Sequence, residues 1–154
     1  MIRVGVISDT HDYLDPQVAE YFAGVNHIFH AGDIGLPWLL LQLQLIAPVT
    51  AVLGNNDNAP DLKEMEIVSL ANRKFLVLHA VDPKCPSERL KRRIIQENPD
   101  VVIFGHTHKH HCQRIGQTLF FNPGYAGKPR FNAKRSVAIL NCDNDGITAE
   151  IKEL

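Results

Sequence analysis

The chain has 154 residues, of which 45% are hydrophobic and 21% charged, and its formal net charge is −1. This length and balance fit one globular domain over residues 1–154 and exclude a disordered chain. A nearly neutral chain has no electrostatic pull toward nucleic acid or a membrane surface, so neither is expected as a main partner.

From the amino end, IRVGVIS (2–8) reads as a buried strand, and it follows Met1 with no basic stretch or cleavage site of a signal peptide. DPQVAEYFAG (15–24) reads as a helix, with an Asp cap, Pro at the first helical position and Gly near its end. HIFHA (27–31) is the second strand. LPWLLLQLQLIA (36–47) is apolar on most faces, so a helix packed deep against a sheet is expected; it is too short to span a bilayer. VTAVL (49–53) and KFLVLHA (74–80) are further strands. In CPSERLKRRIIQENP (85–99) a helix would put Leu90, Ile94 and Ile95 on one stripe, with Arg89, Lys91, Arg92 and Arg93 toward water. VVIF (101–104) is the fifth strand.

The last third changes character. HHCQRIG, QTLFFNPG, SVAILNCD and GITAEIKEL read as successive strands, with tight turns at Ile115–Gln117 and Asp143–Gly146. Strands alternating with helices, then an antiparallel section, predict an α/β (α+β) chain: a four-layer α/β/β/α sandwich of two mixed sheets flanked by helices. Cys85, Cys112 and Cys142 are odd in number, scattered and without CxxC spacing. Buried or half-buried thiols in a reducing cytoplasm are expected rather than a disulfide framework.

Each apolar run is followed at once by metal-ligand residue types. Ser8-Asp9-Thr10-His11, Ala31-Gly32-Asp33, Gly54-Asn55-Asn56-Asp57, His79 and Gly105-His106-Thr107-His108 stand after five consecutive strands. A Gly-Asp pair alone is usually a turn, and a lone His79 is usually a satisfied core residue. Independent turns, however, have no reason to supply only such residues at one sheet edge, where loops converge on ligands. Half of the chain's histidines fall in VVIFGHTHKHH (101–111). His106 and His108 are two apart, so on extended backbone both would face one side. His110 and His111 are expected at a solvated rim, and His27 and His30 flank a core strand.

These motifs, SDTH, HAGD, GNND, the isolated strand-end His, GHTH and NPG, resemble the calcineurin-like metallophosphoesterases, in the small single-domain bacterial and archaeal phosphodiesterase branch. The resemblance runs in order along nearly the whole chain. It implies a β-sandwich flanked by helices and a dinuclear centre. Asp9, His11 and His108 would hold one metal, Asn55, His79 and His106 the other, and Asp33 would bridge them. Asp33, Asn55 and His106 would also take part in catalysis. The mixed nitrogen and oxygen donors suit Mn²⁺, Fe²⁺, Co²⁺, Ni²⁺ or Zn²⁺ better than Mg²⁺, and of these Mn²⁺ is expected first. The implied activity is hydrolysis of a small phosphodiester, and weakly of monoesters, by in-line attack of metal-bound hydroxide on phosphorus.

The sequence departs from that pattern in places. Many relatives carry His where Asn56 stands, and that His is thought to protonate the leaving oxygen; an amide cannot. Activated diesters such as bis-p-nitrophenyl phosphate are therefore expected to be preferred, unless His110 or water substitutes. After His79 come Ala80-Val81 instead of Gly-His, and Tyr125 replaces a small residue at the cleft mouth. Lys128 and Arg130 could meet a substrate phosphate or form a solvated rim. Asp57 would cap a helix near Ala59 or orient a ligand. Two other readings stay open. One is a protein-binding scaffold, as in the branch resembling the small retromer subunit; the other is a nucleotide polyphosphate hydrolase. Oligomeric state is not readable, and a homo-oligomer stays open.

Overall fold

Alternation of burial at period two organises the whole molecule. The computed structural model describes residues 1–154 and contains ten strands and three helices. In chain order they are β1 (Ile2–Ile7), α1 (Gln17–Tyr21), β2 (His27–His30), α2 (Trp38–Gln44), β3 (Val49–Ala51), β4 (Met65–Leu70), β5 (Arg73–Leu78), α3 (Glu88–Glu97), β6 (Val101–Ile103), β7 (His111–Ile115), β8 (Thr118–Asn122), β9 (Ser136–Cys142) and β10 (Ile147–Glu153). They form two five-stranded sheets, ordered β10-β9-β1-β2-β3 and β4-β5-β6-β8-β7. Both are mixed: β1-β2-β3 and β5-β6-β8 pair in parallel, and the outer strands pair antiparallel.

Val4, Val6, Phe29, Phe75, Val77, Val101, Ile103, Phe121 and Leu140 face one another in the core between the sheets. Their alternates Ile28, Val137 and Ile139 pack with Val18, Phe22, Leu39 and Leu43 from the α1 and α2 side. Leu76, Val102 and Phe120 pack under Leu90 of α3. Helix, sheet, sheet, helix is the expected four-layer order. Asp15 caps α1 as expected, its Oδ1 accepting from Gln17 N at 2.9 Å. No helix is long and apolar enough to cross a membrane.

Several local expectations change. β4 was not foreseen, because as an outermost strand it is only half-buried and carries Glu66 and Ser69. It turns into β5 through Ala71 and Asn72, both at positive φ (46° and 63°), the sign a type I′ hairpin turn requires at both positions. Helix α2 does not bury most of its faces. Leu39 and Leu43 point inward, while Leu36, Trp38, Leu41 and Leu45 are exposed. On α3, Ile95 is 83% exposed and leaves Leu90 and Ile94 as the packing pair. No helix forms near Ala59. Cys85 and Cys112 are exposed rather than buried, and Cys142 alone is buried.

Candidate metal centre

The carboxyl ends of β1, β2 and β3 from one sheet and of β5 and β6 from the other meet at one rim, so the ligand-type residues come from both sheets rather than from one. The loops after β1 and β2 continue the ladder past the strands: Asp9 N, His11 N and Asp12 N donate to Gly32 O, Asp33 O and Ile34 O, each at 3.0 Å. Gly105 N donates to His79 O at 2.9 Å and joins the β6 loop to β5. A side chain at Gly105 would collide with Ser8 and Asp9, and one at Gly54 would collide with Asp33. Glycine precedes the ligand-type residues because the loops touch backbone to side chain.

These contacts bring all seven residues together. One side-chain donor atom from each of Asp9, His11 and His108 lies within 4.8 Å of the others, and the same holds for Asp9, Asp33 and His79. Asp33 Oδ2 is 3.7 Å from His11 Nε2 and 3.4 Å from His79 Nε2, so it stands between the two sets. Asn55 Oδ1 lies 3.0 Å from His79 Nε2 and 3.2 Å from His106 Nδ1. Asn55 and His106 are exposed at the mouth, whereas Asp9, Asp33 and His79 are buried.

The backbone reason for the His106/His108 pair differs from the expected one. Neither lies on extended chain: Asp9, His11, Asp33, His106 and His108 have φ of 56°, 44°, 53°, 72° and 61°. Left-handed non-glycine residues are uncommon and cost about 1–3 kcal/mol each, and they persist where surrounding bonds over-determine them. Here five of the seven ligand-type residues are held so.

The electrostatics leave a gap of one kind. Asp9 Oδ2 accepts from Ser8 Oγ at 2.8 Å and His106 N at 3.1 Å, but Oδ1 has no partner. His11 Nε2 is likewise without one, so two of the three unpartnered buried side-chain atoms lie in this cluster. His79 Nδ1 is 2.7 Å from Ala31 O, which only accepts, so Nδ1 carries the proton. The Nε2 lone pair then faces only oxygens: Asn55 Oδ1, Asp33 Oδ2 and, at 3.9 Å, Asp9 Oδ1. A cation seated among these atoms would satisfy all of the opposed lone pairs. A ligating imidazole normally donates its other N–H to a carbonyl in this manner. Burial pushes the Asp9 carboxyl above its usual range in spite of Ser8, His79 and His108. Burial also raises Asp33, but the two Asn56 hydrogen bonds with His79 and His11 outweigh it and hold Asp33 below its usual range. Burial keeps His108 below its ordinary value against the pull of Asp9, a shift that favours the neutral imidazole a ligand must be. The donor set, the unpartnered atoms and the buried carboxylates fit divalent transition metals.

Supporting residues were only partly visible in the sequence. Asp57 caps no helix. Its Oδ1 accepts from Ile34 N (2.9 Å) and Gly35 N (3.2 Å), and its Oδ2 from Gly54 N (2.8 Å), so one carboxylate ties the Asp33 loop to the Asn55 loop. Asn122 of the NPG motif donates to Gly105 O at 2.9 Å and to Thr107 Oγ1 at 3.2 Å, and so holds the GHTH loop. Asn56 binds both oxygens of Asp33, through N and Nδ2, each at 2.9 Å. His110 is exposed at the rim, and His111 lies on β7 against Phe104.

His30 is a core residue with a structural task. Its Nδ1 accepts from Gly32 N at 3.2 Å, so Nε2 donates to Thr10 Oγ1 at 2.9 Å, and Thr10 donates to Ile34 O at 2.8 Å. Burial, with His79 adding to it, holds its pKa down at about 3. A histidine depressed in the fold binds its proton only in the unfolded chain between that value and its ordinary 6.5. Stability from His30 is therefore complete above about pH 6.5 and is lost as pH falls toward 3, at about 1.4 kcal/mol per pH unit. Denaturant melts of the wild type and His30→Gln between pH 7 and 5 should show a steeper fall in the wild type; parallel curves would contradict this.

Residues 2–145 match the family model of the calcineurin-like phosphoesterase superfamily domain. A probable metallophosphoesterase of Methanothermobacter thermautotrophicus is 34% identical, over 96% of this chain and 90% of its own. Phosphodiesterase MJ0936 of Methanocaldococcus jannaschii is 28% identical, over 80% of this chain and 83% of its own. Among solved structures, Vps29 of Entamoeba histolytica complexed with Zn²⁺ superposes with a TM-score of 0.76 at 24% identity, covering 99% of both chains. At that identity the likeness speaks for the fold.

Proposed function

The chain belongs to the calcineurin-like phosphoesterase superfamily, and from that premise we propose that it is a phosphodiesterase that works with two divalent transition metals, Mn²⁺ first, and acts weakly on monoesters. The observation that carries the reading is the convergence of buried, unpartnered Asp9 Oδ1 and His11 Nε2 with a His79 lone pair that faces only oxygens. The Methanocaldococcus relative named as a phosphodiesterase supports the diester choice.

Asp9, His11 and His108 would hold one cation, Asn55, His79 and His106 the other, with Asp33 shared. When bound, the pair would supply positive charge at phosphorus and a water whose pKa is lowered toward about 7. The chain's own residues do the rest. Asp57 and Asn122 fix the loops that present Asp33, Asn55 and His106. The Ala31 carbonyl holds His79 in the ligating tautomer. His106 and Asn55 stand at the open side, where substrate enters. Asn56 offers an amide where a proton donor would help the departing oxygen, so the leaving group must depart largely unaided.

Adding Mn²⁺ to metal-stripped protein at about 100 times its dissociation constant should raise the melting temperature at pH 7 by about 5–10 °C. The shift should shrink at lower pH, because Asp9 must be ionised to bind and burial has raised its pKa. The same preparation, reloaded in turn with Mn²⁺, Ni²⁺, Zn²⁺ or Mg²⁺, should turn over p-nitrophenyl diesters faster than monoesters.

A second reading, a protein-binding scaffold of the same fold, draws on one observation: the exposed apolar side chains Leu36, Trp38, Leu41 and Leu45 along α2. Reloading that yields neither a thermal shift nor turnover would move the weight to it.

A further inference from the structure

One wall beside the centre is a stack of three side chains. Tyr125, 1% exposed, lies 4.8 Å from His108 ring to ring at an interplanar angle of 23°. The Arg130 guanidinium lies over the same ring, 4.9 Å from its centroid. The tyrosine is firmly held: its hydroxyl donates to Lys128 O at 2.9 Å, and its carbonyl accepts from Ser136 N at 2.8 Å. Arg135, ion-paired with Asp15 at 2.8 Å, donates to Gly127 O at 2.6 Å and pins the same segment.

Arg130 has no carboxylate within ion-pair distance, and neither have Lys109 and Lys134. The three line one cleft of about 1020 Å³ that reaches His108 and His110, and Glu153 is the acid on its wall. Three cations without an ion-pair partner thus share this one cleft. A guanidinium lying on an aromatic face keeps its N–H edge free, and that edge is the part that grips phosphate or carboxylate in pairs of hydrogen bonds. A flexible arginine would lose entropy on binding; this one is already placed.

We propose that Arg130 is the specificity-determining residue of an anion subsite beside the metal centre. The subsite selects phosphodiesters whose second arm carries a further phosphate or carboxylate. The proposal rests on the phosphodiesterase reading and adds a substrate class to it. Recognition there is by charge, because the buried Tyr125 ring offers no open face to a base. The guanidinium and the His108 ring each lie against Tyr125, 4.9 and 4.8 Å from its centroid, so the ring spaces the second anion from the phosphorus held at His108.

Two matched pairs of compounds test this on Mn²⁺-loaded protein. Turnover compares p-nitrophenyl propyl phosphate with the same diester bearing a terminal phosphate on the propyl arm. Calorimetric binding compares propyl phosphate with propane-1,3-diyl bisphosphate. The member of each pair that carries the second phosphate should be preferred by about tenfold or more, and Arg130→Gln should remove most of that preference. Arg92→Gln, on the exposed side of α3, should keep it. Equal treatment of the two members by the wild type, or a preference that survives in Arg130→Gln, overturns the subsite. Absence of turnover on every diester together with an Arg130-dependent binding preference would instead sink the hydrolytic reading and leave the subsite standing.

Discussion

Asparagine in place of Asp33 is expected to lower kcat/KM for a diester by about 10³-fold, the scale of losing several kcal/mol of metal-derived stabilisation. It should also reduce the Mn²⁺ held at saturation. The reasoning starts from the carboxylate's four lone-pair sites. Asn56 engages one on each oxygen, and Oδ2 also faces His11 and His79 across 3.7 and 3.4 Å. An amide keeps the shape but turns one oxygen into a donor. With the Asn56 amide flipped, that donor can bond Asn56 and the lone pair of His79, so the metal-free fold keeps its bonds while the cation site is lost. The two readouts should therefore part company. Metal content by plasma mass spectrometry and turnover both fall, while the melting temperature of the metal-free variant stays close to that of the metal-free wild type. A variant that retains its full metal content and rate would remove Asp33 from the centre.

The ligand-type residues were legible because each follows directly on an apolar run, and strand ends on two packed sheets have few places to go but a shared rim. The same alternation that marks Val4 and Val6 as core on one face and Ile28 on the other made the sandwich readable. Three kinds of feature were not. β4 lies at a sheet edge, half in water, where selection for alternation is weak. The left-handed backbone at Asp9, His11 and His106 is set by cross-loop hydrogen bonds, and aspartate or histidine as a residue type does not announce it. Asp57 serves the site through three backbone N–H groups, partners that carry no residue identity at all. The Arg130–Tyr125–His108 stack likewise joins positions whose adjacency exists only in the fold.

Asn56 decides how the enzyme should respond to its leaving group. Where the family resemblance implies a histidine that protonates the departing oxygen, this chain has an amide whose nitrogen is turned onto Asp33. Loss of a positioned general acid costs about 10²–10⁴-fold for a poor leaving group and little for an activated phenolate. The wild type should therefore show a steep dependence of kcat on leaving-group pKa across a series of aryl and alkyl diesters. Asn56→His should flatten it, raising alkyl-diester hydrolysis by about 10²-fold and leaving p-nitrophenyl diesters within about threefold. The position can accept the change, because residue 56 is exposed and its backbone N–H, not its side chain, makes the bond to Asp33 Oδ1. The cost is the single Nδ2 bond to Oδ2, about 1 kcal/mol, which is small against the expected gain. A flat wild-type dependence would mean that another group, with exposed His110 the candidate in the adjoining cleft, already delivers the proton; the alkyl-diester rate of His110→Gln would then test it.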